Sequence, residues 1–403
     1  MKNASKPFKA LWIGEIVSEF GGAAGGIING LLLYELTGSR EWMGIMWFVY
    51  FIPSLILQGV SAPFLNHIKK EKMLRTIQLI RAGAYILPLF GGMAGHDSMI
   101  IAGLVILQLV LGLLQPIYAS LSFSLLPEIC EEDRLVEANS LLDGTIRLMG
   151  FIAPGATAVL LAFLPMYGIY GMSAILFLLS YLSLSRIPGV GAESVPTWTK
   201  RFWLAELKEG YRVFFAYPYL VRLTILSAAV QFAVGAAMVL GVPFIRGELG
   251  GQYWEYAIFS GSFPVGYAIG MLLLSRIPKT SVTMYVGLVG GGLSFVCLYF
   301  VGSIPAAWLC ELFGGILFPL FNAQSAALFQ KGAPRDRLAQ LSSVRLLFLR
   351  VTMPLGILFA SASISIRFAY LIVGIAILLP GIYYLLRPLW KINEKEDARD
   401  RQI

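Results

Sequence analysis

The chain has 403 residues, of which 57% are apolar and only 13% charged, about half of the ~25% charge found in an ordinary soluble domain. A soluble globular enzyme is thereby excluded, and a polytopic helical membrane protein is expected: at ~20 residues per crossing, twelve spans use about 240 residues and leave about 160 for loops and tails. The net charge of +8 is assigned to topology rather than to nucleic-acid binding, because the basic residues cluster in alternate loops.

In chain order, apolar stretches run at 9–34, 43–65, 73–94, 99–122, 140–163, 168–186, 222–245, 254–275, 281–300, 304–328, 341–360 and 368–387. Each is long enough to cross a bilayer as a helix. The basic start is followed by a run that Glu15 and Glu19 interrupt, so it reads as a first retained span rather than a signal peptide. Prolines at 53, 116, 154, 264, 319 and 354 predict bent helices. Basic clusters such as Lys69, Lys70, Lys72 and Arg75, or Lys200, Arg201, Lys208 and Arg212, fall on one side, while the opposite side holds few. The excess of Lys and Arg predicts cytoplasmic termini and a multi-pass location in the cell membrane.

The longest interruption separates spans six and seven. Within it Leu204, Leu207, Tyr211 and Phe214 recur at helical spacing, with Glu206, Glu209 and Arg212 on another face, so an amphipathic helix lying on the inner membrane surface is expected. The chain therefore divides into a six-helix bundle at 1–187, a linker at 188–221, and a second bundle with a tail at 222–403. A repeat supports the two halves: Asp133-Arg134-Leu135 recurs as Asp336-Arg337-Leu338, and at the same offset Ser140 matches Ser343 and Arg147 matches Arg350. The expected fold is an all-α membrane protein with twelve transmembrane helices in two pseudo-symmetric six-helix bundles, the plan of a two-bundle transporter. Three cysteines and two histidines without ligand spacing predict neither a disulfide framework nor a metal site, and no cofactor is expected.

The opening Phe8-Lys9-Ala10-Leu11-Trp12-Ile13-Gly14-Glu15, the segment Tyr34-Glu35-Leu36-Thr37-Gly38, the run Leu135-Val136-Glu137-Ala138-Asn139-Ser140, and Ala153-Pro154-Gly155 resemble the macrolide-efflux-like, drug:proton antiporter branch of the major facilitator superfamily. The resemblance implies proton-coupled export of small amphipathic compounds by a protein expected to act as a monomer in the bilayer. It departs at the loop between helices two and three, usually Gly-x-x-x-Asp-Arg-x-Gly-Arg. Here Asn66 stands at the Asp position, and Lys70 and Lys72 supply the basic character. An ion-paired latch cannot be carried over, and a hydrogen-bonded latch from Asn66 is the alternative.

Ionisable residues inside spans are costly, at least ~2.5–3.5 kcal/mol at the bilayer centre, and so are functional candidates. Glu15 and Glu19 lie four apart on a face of helix one continued by Gly22, Gly26 and Asn29, which reads either as a cavity wall carrying a proton-exchanging carboxylate or as a helix seam with Glu–Arg pairs. Glu19 is the leading coupling residue, followed by Glu15 and Asp143. Arg81, Arg147, Arg345 and Arg350 fall at similar expected depths and form either a charge gate or local neutralisation within each half. Polar groups at mid-depth are Asn29, Gln108, Gln115, Gln231, Glu311 and Asn322; each is read as substrate-binding or as interhelical hydrogen bonding. Glu311 stands out because it could neutralise a cationic substrate.

A secondary active exporter is the leading reading, and the chain contains no Gly-x-x-x-x-Gly-Lys-Ser/Thr motif of an internal ATPase. Within transport, a lipid, siderophore or metabolite carrier is the alternative. A membrane-embedded enzyme lacks a reactive constellation in the spans, and a receptor lacks a sensor domain.

Overall fold

The computed structural model describes residues 5–37, 40–65, 67–189, 199–274, 276–362 and 364–387. Asn66 lies outside the described residues. In chain order the helices are α1 (Lys6–Thr37), α2 (Arg40–Leu65), α3 (Lys70–Ala94), α4 (Asp97–Ile129), α5 (Leu135–Leu160) and α6 (Met166–Leu184), then α7 (Lys200–Ala216). They continue as α8 (Pro218–Val242), α9 (Tyr253–Leu274), α10 (Ser281–Phe300), α11 (Ile304–Gly332), α12 (Leu338–Ala360) and α13 (Ile366–Leu386). Among the described residues there is no strand. Ten helices among the described residues are both long and apolar enough to cross a membrane. Two more, α3 and α5, have the length but carry Arg81 and the Asp143/Arg147 pair among their apolar residues. With these two, the twelve predicted spans all correspond to helices, and the thirteenth helix, α7, occupies the linker.

The prolines at 53, 116, 154, 264, 319 and 354 all lie inside helices that continue through them. This is tolerable in a bundle, where neighbouring helices and side chains take up the freed backbone groups. Gly95 closes α3 in the left-handed region at φ 69°, a conformation that costs glycine nothing.

Two compact units result. The first comprises residues 1–132, 145–211 and 334–346; the second comprises 133–144, 212–333 and 347–403. In the first, α1 packs on α6, α3 on both α4 and α6, and α2 on α4. In the second, the equivalent helices pair the same way: α8 with α13, α10 with α11 and α13, and α9 with α11. The repeat is visible locally too. A 3₁₀ turn at Glu132–Arg134 leads into α5 and another at Arg335–Arg337 leads into α12, each copy ending at the matched leucine, Leu135 or Leu338.

Glycine sets how closely some of these helices approach. In the second unit a methyl group on Gly270 would lie 2.1 Å from the Ile316 carbonyl oxygen, and one on Gly266 2.2 Å from that of Leu312. The first unit has a counterpart at Gly112, where the corresponding distance to the Tyr50 carbonyl is 2.4 Å. Lipid tails give no hydrophobic drive for helix association, so such backbone-to-backbone contact supplies much of the packing attraction. Aromatic layers fill the rest: in the first unit Tyr85 stacks on Phe177 at 5.3 Å between ring centroids.

Substituting Gly270→Ala should therefore destabilise the protein by about 1–3 kcal/mol through overpacking. Gly171→Ala, where an added methyl meets nothing within 4 Å, should leave stability unchanged or raise it slightly. Thermal unfolding of the two variants in the same detergent checks both.

Candidate functional site

The first unit gathers Glu15 and Glu19 of α1, Arg81 of α3 and Gln115 and Tyr118 of α4 into one cluster, with a buttress from α6. Four-residue spacing puts Glu15 and Glu19 on one face of α1, and that face meets α3 and α4. Glu15 is buried and its Oε2 accepts a 2.8 Å hydrogen bond from the Tyr118 hydroxyl. Glu19 is half-buried and hydrogen-bonds Gln115. Arg81 is 3% exposed, and its guanidinium acts on both carboxylates. It also donates to Gln115 Oε1 at 2.6 Å and to Gln78 Oε1 at 3.4 Å. Gln78 in turn donates to Ser180 of α6 at 2.8 Å. The guanidinium carbon stands 5.0 Å from the Tyr118 ring centre and 5.8 Å from that of Phe177, within cation–π range.

This arrangement places two carboxylates and one guanidinium inside an apolar bundle. Burying an uncompensated charge is expensive, and a paired charge is tolerated only when its remaining hydrogen bonds are met. Gln115, Tyr118 and Gln78 meet most of them. Along the same face of α1, Asn29 donates to Gln108 Oε1 at 3.2 Å, while the space beside Gly26 is open to 4 Å. The expected stripe is thus polar at both ends and roomy between.

Arg81 belongs to the carboxylate cluster, and Arg345, also in the first unit and buried, stands 5.4 Å over the Phe123 ring. Arg147 and Arg350 are half-buried, the former in the first unit and the latter in the second, and both have partners. Asp143 lies in the second unit, where it accepts a short hydrogen bond from the Tyr267 hydroxyl, which itself accepts from Asn322 at 3.2 Å. Gln231 of α8 is half-buried. Glu311 of α11 is half-buried and makes no ion pair or hydrogen bond among the described residues. Lys70 is buried, paired with Glu128 and donating to the Ser124 carbonyl, whereas Lys72 is exposed.

Several polar residues that the sequence did not single out complete these clusters. Tyr118 lies three residues beyond Gln115 and ten beyond Gln108, so the helical face that selected those two glutamines already contained it. Tyr267 has no such signal. In the first unit Gln58 Nε2 reaches Ser120 Oγ at 3.1 Å and the Ser343 carbonyl at 3.2 Å, and Ser343 Oγ donates back to the Gln58 carbonyl at 3.0 Å. In the second, Asn139 donates to Gln330 at 2.6 Å. The start of α12 is thereby tied into the first unit and the start of α5 into the second. Among the described residues no three His, Cys, Asp or Glu gather as a metal site would require.

Apolar helices long enough to cross a bilayer, with ionisable groups buried between them, define a polytopic helical membrane protein. Residues 11–357 match the family model of the Major Facilitator Superfamily, and the chain belongs to that superfamily. It is 21% identical over 348 residues to an uncharacterised MFS-type transporter, YvqJ, of Bacillus subtilis, covering 81% of this chain and 79% of that one. Among solved structures, a bacterial homologue of the iron transporter ferroportin in an outward-facing state superposes with a TM-score of 0.76 at 17% identity, covering 94% of this chain and 98% of that one. The human organic anion transporter MFSD10 gives 0.75 at 14% identity, covering 94% and 99%. The transporter FucP gives 0.67 at 16%, covering 94% and 98%. At these identities the structures establish a shared fold.

Arg81→Met would leave buried Glu15 and half-buried Glu19 without the neighbouring guanidinium and should cost about 3–5 kcal/mol, the order of the penalty for an uncompensated buried charge. Adding Glu15→Gln should recover a large part of that loss by removing one of the stranded charges. Unfolding of the single and double variants, measured side by side in detergent, checks this.

Proposed function

We propose that the protein is a proton-coupled exporter of small amphipathic compounds, working by alternating access in the cell membrane with both termini cytoplasmic. The observation that carries this reading is the charge count in the first unit: Glu15 and Glu19 face a single shared guanidinium, Arg81. A proton is the smallest cation that completes the balance, and its release and return give the cluster two states of different charge. The two carboxylates are not equivalent. Glu15 is deeply buried and held by Tyr118, whereas Glu19 is partly accessible. Glu19 is the exchanging group, Glu15 sets the local field, and Asp143, tied to Tyr267 and Asn322, has a secondary role.

Substrate contact is assigned first to Glu311, whose carboxylate has no partner among the described residues and suits a cationic or amine-bearing compound. Gln231 and the Asn29–Gln108 pair are polar groups that could be recruited around an amphipathic body. Gln115 belongs to the coupling cluster rather than to the substrate surface, because both Arg81 and Glu19 engage it. The resemblance to the macrolide-efflux-like branch supports outward transport, with Lys70 and Lys72 at the start of α3 and Asn66 before them as the latch residues of the α2–α3 connection.

Everted vesicles energised to an acidic interior and loaded with a pH-sensitive dye test the reading. A panel of macrolides, lipophilic cations, siderophores and lysolipids is added in turn. At least one amphipathic compound should trigger proton efflux. Glu19→Gln should abolish that response at unchanged expression, and Glu311→Gln should weaken it about tenfold for cationic compounds only, roughly the worth of one ion-paired contact of 1.4 kcal/mol. Substrate-triggered efflux that survives Glu19→Gln contradicts the assignment of the coupling residue.

A further inference from the structure

Helix α7 is held to the first unit by contacts that fix its rotation. Trp203 Nε1 donates to the Val60 carbonyl at 3.2 Å, and the Tyr211 hydroxyl donates to the Gly59 carbonyl at 3.3 Å, both at the end of α2. Gln340 donates to the Glu206 carbonyl at 2.8 Å, and buried Gly210 gives that side chain its room. At 3.6 residues per turn the opposite face of α7 carries Arg201, Leu204, Ala205 and Lys208, continued along the helix by Arg212 and Phe215. All six are exposed, and Leu204 and Phe215 retain 43% and 56% of their surface. Neither acidic residue of α7 sits at the centre of this face: Glu206 is on its far side and Glu209 at its margin. The loop before α3 extends the basic surface. Its His67 ring lies 6.3 Å from that of Phe202, and Lys69 and Lys72 just beyond are exposed.

A soluble polyanion would match the cations of this face and leave its large apolar side chains in water. A surface of anionic phospholipid matches both, with phosphates against Arg201 and Lys208 and the acyl boundary against Leu204 and Phe215. We infer that the outer face of α7 is a binding site for anionic phospholipid headgroups of the leaflet on which the linker lies. The contacts to Gly59, Val60 and Gln340 then connect lipid binding to the ends of α2 and α12 within the first unit, so occupancy should stabilise that unit.

Binding is measured on the purified full chain in neutral detergent by native mass spectrometry, titrating phosphatidylglycerol, phosphatidylcholine and soluble glycerol 3-phosphate. Wild type should bind phosphatidylglycerol more tightly than phosphatidylcholine. With each surface cation worth about fivefold, Arg201→Gln with Lys208→Gln should lower that affinity on the order of 30-fold. Arg201→Lys with Lys208→Arg should keep it. Leu204→Ser with Phe215→Ser, which leaves every charge in place, should also weaken it. Equal phosphatidylglycerol affinity in wild type and the Gln double variant, with matching unfolding temperatures, would overturn the proposal. So would full competition by glycerol 3-phosphate, which would mark a phosphate site, or loss of a co-purifying acidic protein instead of lipid, which would mark a protein partner.

Discussion

Glu15, Glu19 and Arg81 share one apolar interior, and much of the first unit can be understood as the means of keeping them there. A carboxylate between membrane helices is sustained only by a cation, by hydrogen bonds that replace water, or by a proton. The protein supplies the first two from separate helices. Arg81 comes from α3, Gln115 and Tyr118 from α4, and the Gln78–Ser180 buttress joins α3 to α6. Each helix of the bundle that touches the cluster is therefore fixed in rotation as well as in position. A one-residue turn of α4 would withdraw Gln115 and Tyr118 together.

Around that polar centre the two units repeat one packing scheme with different chemistry. The helix pairs are equivalent, and so are the 3₁₀ turns that open α5 and α12, yet the second unit has no acidic pair matching Glu15 and Glu19. Its polar contacts include the Arg367–Glu248 ion pair, Asp143 with Tyr267 and Asn322, and Asn139 with Gln330. Its helices are instead drawn together by glycine, with Gly266, Gly270 and Gly315 bringing α9 and α11 into backbone contact. Duplication explains the shared frame. The difference between them, a buried carboxylate–guanidinium cluster in one unit and close glycine contacts in the other, lies in the side chains.

The sequence revealed most where periodicity alone decides. Hydropathy located twelve spans and the amphipathic linker helix, and the repeat offset of Asp133-Arg134-Leu135 matched the paired 3₁₀ turns. Four- and seven-residue spacing correctly placed Glu15 with Glu19, and Gln108 with Gln115, on common faces. It could not say which helix each face would meet. Depth along a span grouped Arg81 with Arg147, Arg345 and Arg350 but does not encode its neighbours, and the rotation of α3 turns it toward the carboxylates of α1. Tyr118 carries no charge to mark it within a span, and only its partner Glu15 shows that the hydroxyl matters. Lys70, read as part of a basic loop, is buried against Glu128, a pairing across 58 residues that local pattern does not encode.

The central claim is that the Glu15–Glu19–Arg81 cluster holds one proton in the resting protein. Infrared difference spectroscopy of the reconstituted protein at neutral pH reads this directly, through the carbonyl stretch of a protonated carboxylic acid. The account predicts such a band in the wild type and its loss when Glu15→Gln and Glu19→Gln are combined, with Glu311→Gln leaving that component in place. A spectrum showing both carboxylates ionised, unchanged in character by the double substitution, would contradict it.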